Sequence, residues 1–152
     1  MNLTSQAFQE GQPISKLYTG DGKDTSPPLE WSDVPATSKS LALICDDPDA
    51  PRGNWVHWVL FNLPPDTNRL PEAVPAQKVL PSGAKQGTND FRKIGYGGPA
   101  PPKGKPHRYF FKLYALDTLL ELKEGATKKE LVALMQGHIL AEAQLMGTYQ
   151  RS

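Results

Sequence analysis

Two histidines, His57 and His107, stand in near-matching surroundings far apart in the chain. Each lies at the mouth of an apolar segment, "WVHWVLFNLP" and "HRYFFKLYALD", and each follows a proline-rich loop, "DDPDAPRGN" and "GPAPPKGKP". If the two mouths adjoin, His57 and His107 converge with Asp47, Asp49 and Tyr109 beside the backbone amides of the Gly97 and Gly98 turn. Imidazole N–H, phenol O–H and glycine N–H groups all donate to phosphate or carboxylate oxygens. The aspartates would orient and charge the imidazoles. Taken singly, either histidine is more simply a structural residue, and an Asp before Pro is commonly a turn former. The matching contexts of the pair favour a binding site for a small anion.

Other chemistries have less support. An acid–base hydrolase using Asp47 and His57 can be drawn, but no nucleophile is indicated. No Gly-x-Ser-x-Gly elbow, phosphate-cradling glycine loop or His-Glu-x-x-His helix occurs. Two histidines and one or two aspartates could hold a metal, yet their spacing carries no specificity. Neither a metal nor a cofactor is expected.

The elements that must position these residues are mostly strands. Leu41 to Cys45 form a compact apolar run halted by Pro48 and Pro51, which reads as a buried strand ending in a loop. Alternation over residues 55–63 puts Trp55, His57, Val59, Phe61 and Leu63 on one face and Val56, Trp58, Leu60 and Asn62 on the other. Both faces are apolar, so this strand is expected to be central. The segment from His107 places Tyr109, Phe111, Leu113 and Ala115 with that histidine, and turns Arg108 to the opposite face, where an ion pair is expected. Residues 64–106 hold nine prolines without periodicity and read as a functional loop. Residues 1–38 suit brief strands and turns. A helix is expected over residues 127–147, opened by a Thr127/Glu130 capping box and stopped at Gly147, with His138 on its apolar face. Trp31, Trp55, Trp58 and Phe110 read as packing residues, and Cys45 as a small buried one.

The 152 residues suit one domain, and 15 prolines with 13 glycines disfavour long helices. A net charge of +1 supplies no field to draw in nucleic acid. The first residues lack a basic, apolar leader, no stretch is long and apolar enough to span a bilayer, and the lone Cys45 permits no internal disulfide. A cytoplasmic protein without stable membrane insertion is expected.

"DPDAP" at 47–51 followed by "HWVLFNLP", and "GPAPPKGKPHRYFFKLYALD" at 98–117, resemble the two signature blocks of the phosphatidylethanolamine-binding protein family, in its microbial Raf-kinase-inhibitor-like branch. "TSPPLEW", "GTNDF", "GYGGPAPPKG" and "GHILAEAQLMGTYQR" extend the likeness over nearly the whole chain. The resemblance implies a single domain over 1–152: a mainly β sandwich with a large central antiparallel sheet, a smaller second sheet, peripheral helices and a C-terminal helix. It also implies an anion pocket lined by Asp47, His57, His107 and Tyr109, its rim shaped by Asp49, Gly98, Pro101 and Pro102, with a cis Ala50–Pro51 bond. The implied function is non-enzymatic binding of a phosphate, phosphoryl or carboxylate group, including a phospholipid headgroup, or inhibition of a kinase or peptidase partner. A homodimer is expected by similarity. Asp90-Phe91-Arg92 stands where relatives commonly read Asp-Phe-Gly, placing a cation near the pocket loop.

Overall fold

The computed structural model describes residues 1–151. The chain runs β1 (Asn2–Thr4), β2 (Leu29–Ser32), β3 (Ser40–Asp47), β4 (Trp55–Leu63), β5 (Arg69–Leu70), β6 (Lys85–Gln86), β7 (His107–Leu116), α1 (Lys128–Met135) and β8 (Ile139–Tyr149), with one 3-10 turn at Lys16–Tyr18. Two antiparallel sheets result: a small one ordered β1-β2-β5, and a large one ordered β6-β4-β3-β7-β8. This is the mainly β, two-sheet architecture expected.

The large sheet is covered on both faces, which is why its middle strands are apolar throughout instead of alternating. Its inner face contributes Leu41, Leu43, Trp58, Leu60, Phe111 and Leu113 to a core shared with Leu3, Leu29 and Trp31 of the small sheet. Its outer face buries Ala42, Ile44, Val59 and Phe61 against Leu131 and Met135 of α1. Every residue of β3 is buried. That strand is the centre of the sheet, and β4 is next to it.

Two bulges break the alternation expected for β4. Cys45 pairs with Trp58 but Asp46 with Val56, so His57 is an extra residue. Leu43 pairs with Leu60 and Leu41 with Leu63, a second irregularity at which Asn62 takes φ +54° and exchanges side-chain hydrogen bonds with the backbone of Leu120. Consequently Trp58, Leu60 and Leu63 join the inner core, while Val56, Val59 and Phe61 join the outer one. A bulge of this kind re-aims the side chain it inserts.

The expected long helix is half helix and half strand. Its capping box forms as read, Thr127 and Glu130 bonding reciprocally, but α1 ends at Met135. Gly137 follows at φ +81°, and β8 then pairs with β7 from Ile139 to Tyr149. Gly147 is therefore not a helix stop; Phe8 and Ile14 pack where its side chain would stand. His138 lies on no helical face, and pairs instead with Asp117 (Nδ1 to Oδ1 2.7 Å) near the surface. Every peptide bond among the described residues is trans, Ala50–Pro51 included, which corrects the cis expectation. The loop turns by other means: Asp47 Oδ1 accepts the Asp49 amide (2.7 Å), and the Gly53 amide donates to Ala50 O with Gly53 at φ +103°. No helix among the described residues is long and apolar enough to cross a membrane.

Candidate functional site

β3 lies between β4 and β7, so the start of each neighbour flanks its last residue, Asp47. Asp47 shares the inner face with Cys45, as His107 and Tyr109 do with Phe111. The bulge delivers the His57 ring to that same face, where it meets the Tyr109 ring edge-on at 5.2 Å between centroids. Chain segments remote in sequence thus bring one carboxylate, two imidazoles and a phenol to one end of the sheet.

They border a cavity of about 200 Å³. Asp47, His57, His107 and Tyr109 supply its polar part, and Ala50, Pro51, Trp55, Phe91, Ala100, Pro101 and Pro102 its walls. Of the residues singled out in the sequence, Asp49 and Gly98 do not line it. Asp49 is clasped by Arg108, Nε to Oδ2 and Nη2 to Oδ1 both at 2.9 Å, with the Arg108 amide also donating to Oδ2. The expected ion pair of Arg108 is therefore with Asp49. It holds the Asp49 carboxyl below the ordinary carboxylate range and staples the 48–53 loop to β7. Gly98 donates its amide to Asp24 Oδ1 (2.6 Å), and a Cβ there would collide with the Tyr18 carbonyl and Asp24. The Gly97 amide is likewise taken, by His57 O at 2.9 Å. The expectation that these two amides face a ligand is corrected; both residues support the rim from behind.

The two imidazoles are held differently. His107 Nδ1 lies 2.7 Å from Asp47 Oδ2, whereas His57 Nδ1 lies 2.6 Å from the Gly97 carbonyl. Asp47 therefore orients only one ring. Burial depresses the His57 pKa, against the opposing pull of Gly97 O and of the Asp47, Asp24 and Asp46 charges. Burial, with the Asp47 charge beside it, raises the Tyr109 pKa, so its hydroxyl remains a donor. Neither Nε2 atom nor the Tyr109 hydroxyl has a partner among the described residues, and none of the three is sealed from solvent.

Sequence reasoning missed the aromatic wall. Trp55 reads as a packing residue in the sequence, but it is only partly buried and meets Phe91 edge-on at 5.5 Å, the pair walling the cavity. Phe91 is placed by its neighbours: Asn89 Oδ1 accepts the amides of Phe91 and Lys93, and Asp90 Oδ2 accepts the amide of Val56. An Asn-Asp pair closing a turn in a proline-rich loop was the available signal. Arg92 is exposed, at φ +63°, and does not border the cavity. Among the described residues no group of three or more His, Cys, Asp or Glu is disposed to hold a metal ion.

A two-sheet, mainly β sandwich whose central strands end in a small, polar-floored cavity is the class of protein that this fold and site define. More specifically, the chain belongs to the phosphatidylethanolamine-binding protein family, whose profile matches residues 4–150. It is 55% identical to a UPF0098 protein of Methanothermobacter thermautotrophicus over 151 residues, 99% of each chain. It is 49% identical to one from Aquifex aeolicus, covering 99% of this chain and 89% of that one. The crystal structure of CT736 from Chlamydia trachomatis, a phosphatidylethanolamine-binding protein homologue, superimposes with a TM-score of 0.90 at 47% identity, over 99% and 97% of the two chains. E. coli YbcL, a member of the mammalian family, gives 0.92 at 34% identity over 99% and 98%.

Proposed function

We propose that this protein is a binding module for a small oxyanionic group, phosphoryl or carboxylate, presented on a ligand with an apolar or flat neighbouring part. The observation that carries the reading is the Asp47–His107 pair beside the Tyr109 hydroxyl, at the floor of a cavity with otherwise apolar walls. Asp47 accepts from Nδ1, so a charged His107 presents an Nε2–H outward, and Tyr109 presents an O–H. In apolar surroundings both donations are stronger than in water. The cavity volume of about 200 Å³ is below the ~300–1,000 Å³ usual for drug-sized ligands, which suits a headgroup better than an acyl chain. A phospholipid headgroup, or the phosphorylated group of a kinase or peptidase partner held inhibited, is ligand chemistry of this kind.

Isothermal titration with phosphate, phosphorylethanolamine and acetate tests the reading. His107→Ala, checked by its thermal melt for retention of fold, is expected to lose at least tenfold in affinity for phosphate. Unchanged affinity sinks the assignment. Turnover of a phosphate ester that disappears in Asp47→Asn would instead make the cluster a hydrolase's acid and base.

A further inference from the structure

Resting on the oxyanion reading, we infer that this site selects an anion still carrying one hydrogen, a phosphomonoester monoanion with its P–OH, over sulfate esters and phosphodiesters of the same charge. The argument begins at Gly97. Its carbonyl can only accept, so the His57 Nδ1 atom 2.6 Å away must be the nitrogen that bears hydrogen. A neutral ring then has a bare lone pair on Nε2, the nitrogen without a protein partner. Burial favours that neutral state: the Phe91 and Tyr109 rings pack crosswise on the imidazole at 5.4 and 5.2 Å between centroids, within walls of low polarity. The carboxylates that oppose it are Asp47 and Asp46 on β3 and Asp24 on the loop before β2, and burial outweighs them.

The cavity floor is therefore not a uniform cradle of donors. It presents one acceptor, His57 Nε2, one donor, the Tyr109 hydroxyl, and His107, whose Nε2 bears hydrogen when the ring is charged. A fully substituted or fully ionised oxygen set against His57 would face acceptor to acceptor, and an unmatched acceptor in an apolar cavity is costly. A P–OH removes the conflict by donating to His57 while the remaining oxygens accept from Tyr109 and His107. Phospholipids with a diester phosphate carry no such hydrogen at phosphorus, so monoester groups are the better ligands.

The decisive comparison is methyl phosphate against methyl sulfate, near-isosteric anions, at pH 6.5, where a ring whose pKa is lowered by burial is mostly neutral, with the methyl phosphate affinity referred to its monoanion, the minority form above the second phosphate ionisation near pH ~6. Dimethyl phosphate serves as the diester. Titration calorimetry on the intact protein is expected to give methyl phosphate at least tenfold tighter binding than either comparator. His57→Gln, whose amide can turn a donor or an acceptor to the ligand, is expected to bring that ratio below threefold while methyl phosphate still binds. A second readout needs no variant: long-range proton–nitrogen spectra of the phosphate-loaded protein at pH 7 are expected to report neutral His57 with hydrogen on Nδ1. Equal affinity for the three anions, an unchanged ratio in His57→Gln, or an imidazolium pattern for His57 would each overturn this inference and leave the oxyanion reading standing. No binding of any anion overturns both.

Discussion

Asp46 and Asp47 are consecutive residues of one strand, both almost wholly buried, at 1% and 3% exposure, and the pleat sends them to opposite faces of the large sheet. On the outer face Asp46 meets the Lys128 ammonium at 2.6 Å, the Lys112 ammonium at 3.2 Å and the Asn54 amide at 3.2 Å, joining β3 to α1, β7 and the loop before β4. Burial alone would raise its pKa, but Lys128, Lys112 and Asn54 outweigh it and hold the carboxyl below its ordinary range. On the inner face Asp47 has one imidazole, one backbone amide and a cavity. Burial of a carboxylate therefore does not mark function. Asp46 has partners that end with themselves, whereas the partner of Asp47 has a second nitrogen without a protein partner at a cavity.

That contrast breaks most visibly at Asp46. Asp46→Ala leaves two ammonium groups beside an apolar layer with nothing to neutralise them. Losing one member of a buried pair typically costs about 3–5 kcal/mol. Lys112 and Lys128 each keep roughly a third of their side chains in water, so the expected loss here is nearer ~2–3 kcal/mol. Urea unfolding measures it, and phosphate affinity in the folded variant should match the wild type. If affinity falls tenfold while stability holds, the division of labour between the two carboxylates is wrong.

Asp47→Asn sharpens the comparison with a smaller effect. The amide oxygen can still accept from Asp49, but its NH₂ now faces His107 Nδ1 and reverses that ring's tautomer, leaving a neutral Nε2–H donor outward. One hydrogen bond survives and the charge behind it is gone. The expected outcome is roughly tenfold weaker phosphate binding, about 1.4 kcal/mol. Calorimetric titration with phosphate checks it; undiminished affinity would mean Asp47 does not act through His107.

These differences were unevenly legible in the sequence. The apolar runs of β3, β4 and β7 could be read because burial on both faces demands them, and the twin histidine contexts located the cavity. Bulges could not: inserting His57 into the ladder leaves no trace in residue type, so Val56, expected with Trp58 and Leu60, lies instead with Val59 and Phe61, while the alternation from Trp58 to Phe61 holds. The 139–149 segment misled for another reason. Leu, Ala, Glu, Gln and Met favour helix, but β7 has a ten-residue edge to satisfy, and tertiary pairing overrides propensity. A period of two was present, since Ala141, Ala143, Leu145 and Tyr149 pack on the inner core while Glu142, Gln144 and Thr148 alternate with them. The aromatic wall escaped notice because Phe91 reaches the cavity only through the turn that Asn89 ties.

The smallest expected effect belongs to His57 and appears in stability instead of binding. Its folded-state pKa lies below the unfolded value near ~6.5, mainly because burial disfavours the imidazolium. Below that pH the unfolded chain takes a proton the folded ring declines, so the unfolded state binds more protons and stability falls with acidification. The loss begins near pH ~6.5 and stops once the folded ring also titrates, at no more than about 1.4 kcal/mol per pH unit. Asp46 has the same sign, but its contribution is lost only in the carboxylate range, below the pH at which the two proteins are compared. His57→Phe keeps a ring between Phe91 and Tyr109 while removing the titration; it abandons the Gly97 carbonyl and should be less stable at pH 7.5. Urea unfolding of both proteins at pH 7.5 and 5.5 is therefore read as a difference of differences: the wild type should lose more on acidification than the variant, and equal losses would mean that this buried ring takes its proton as readily folded as unfolded.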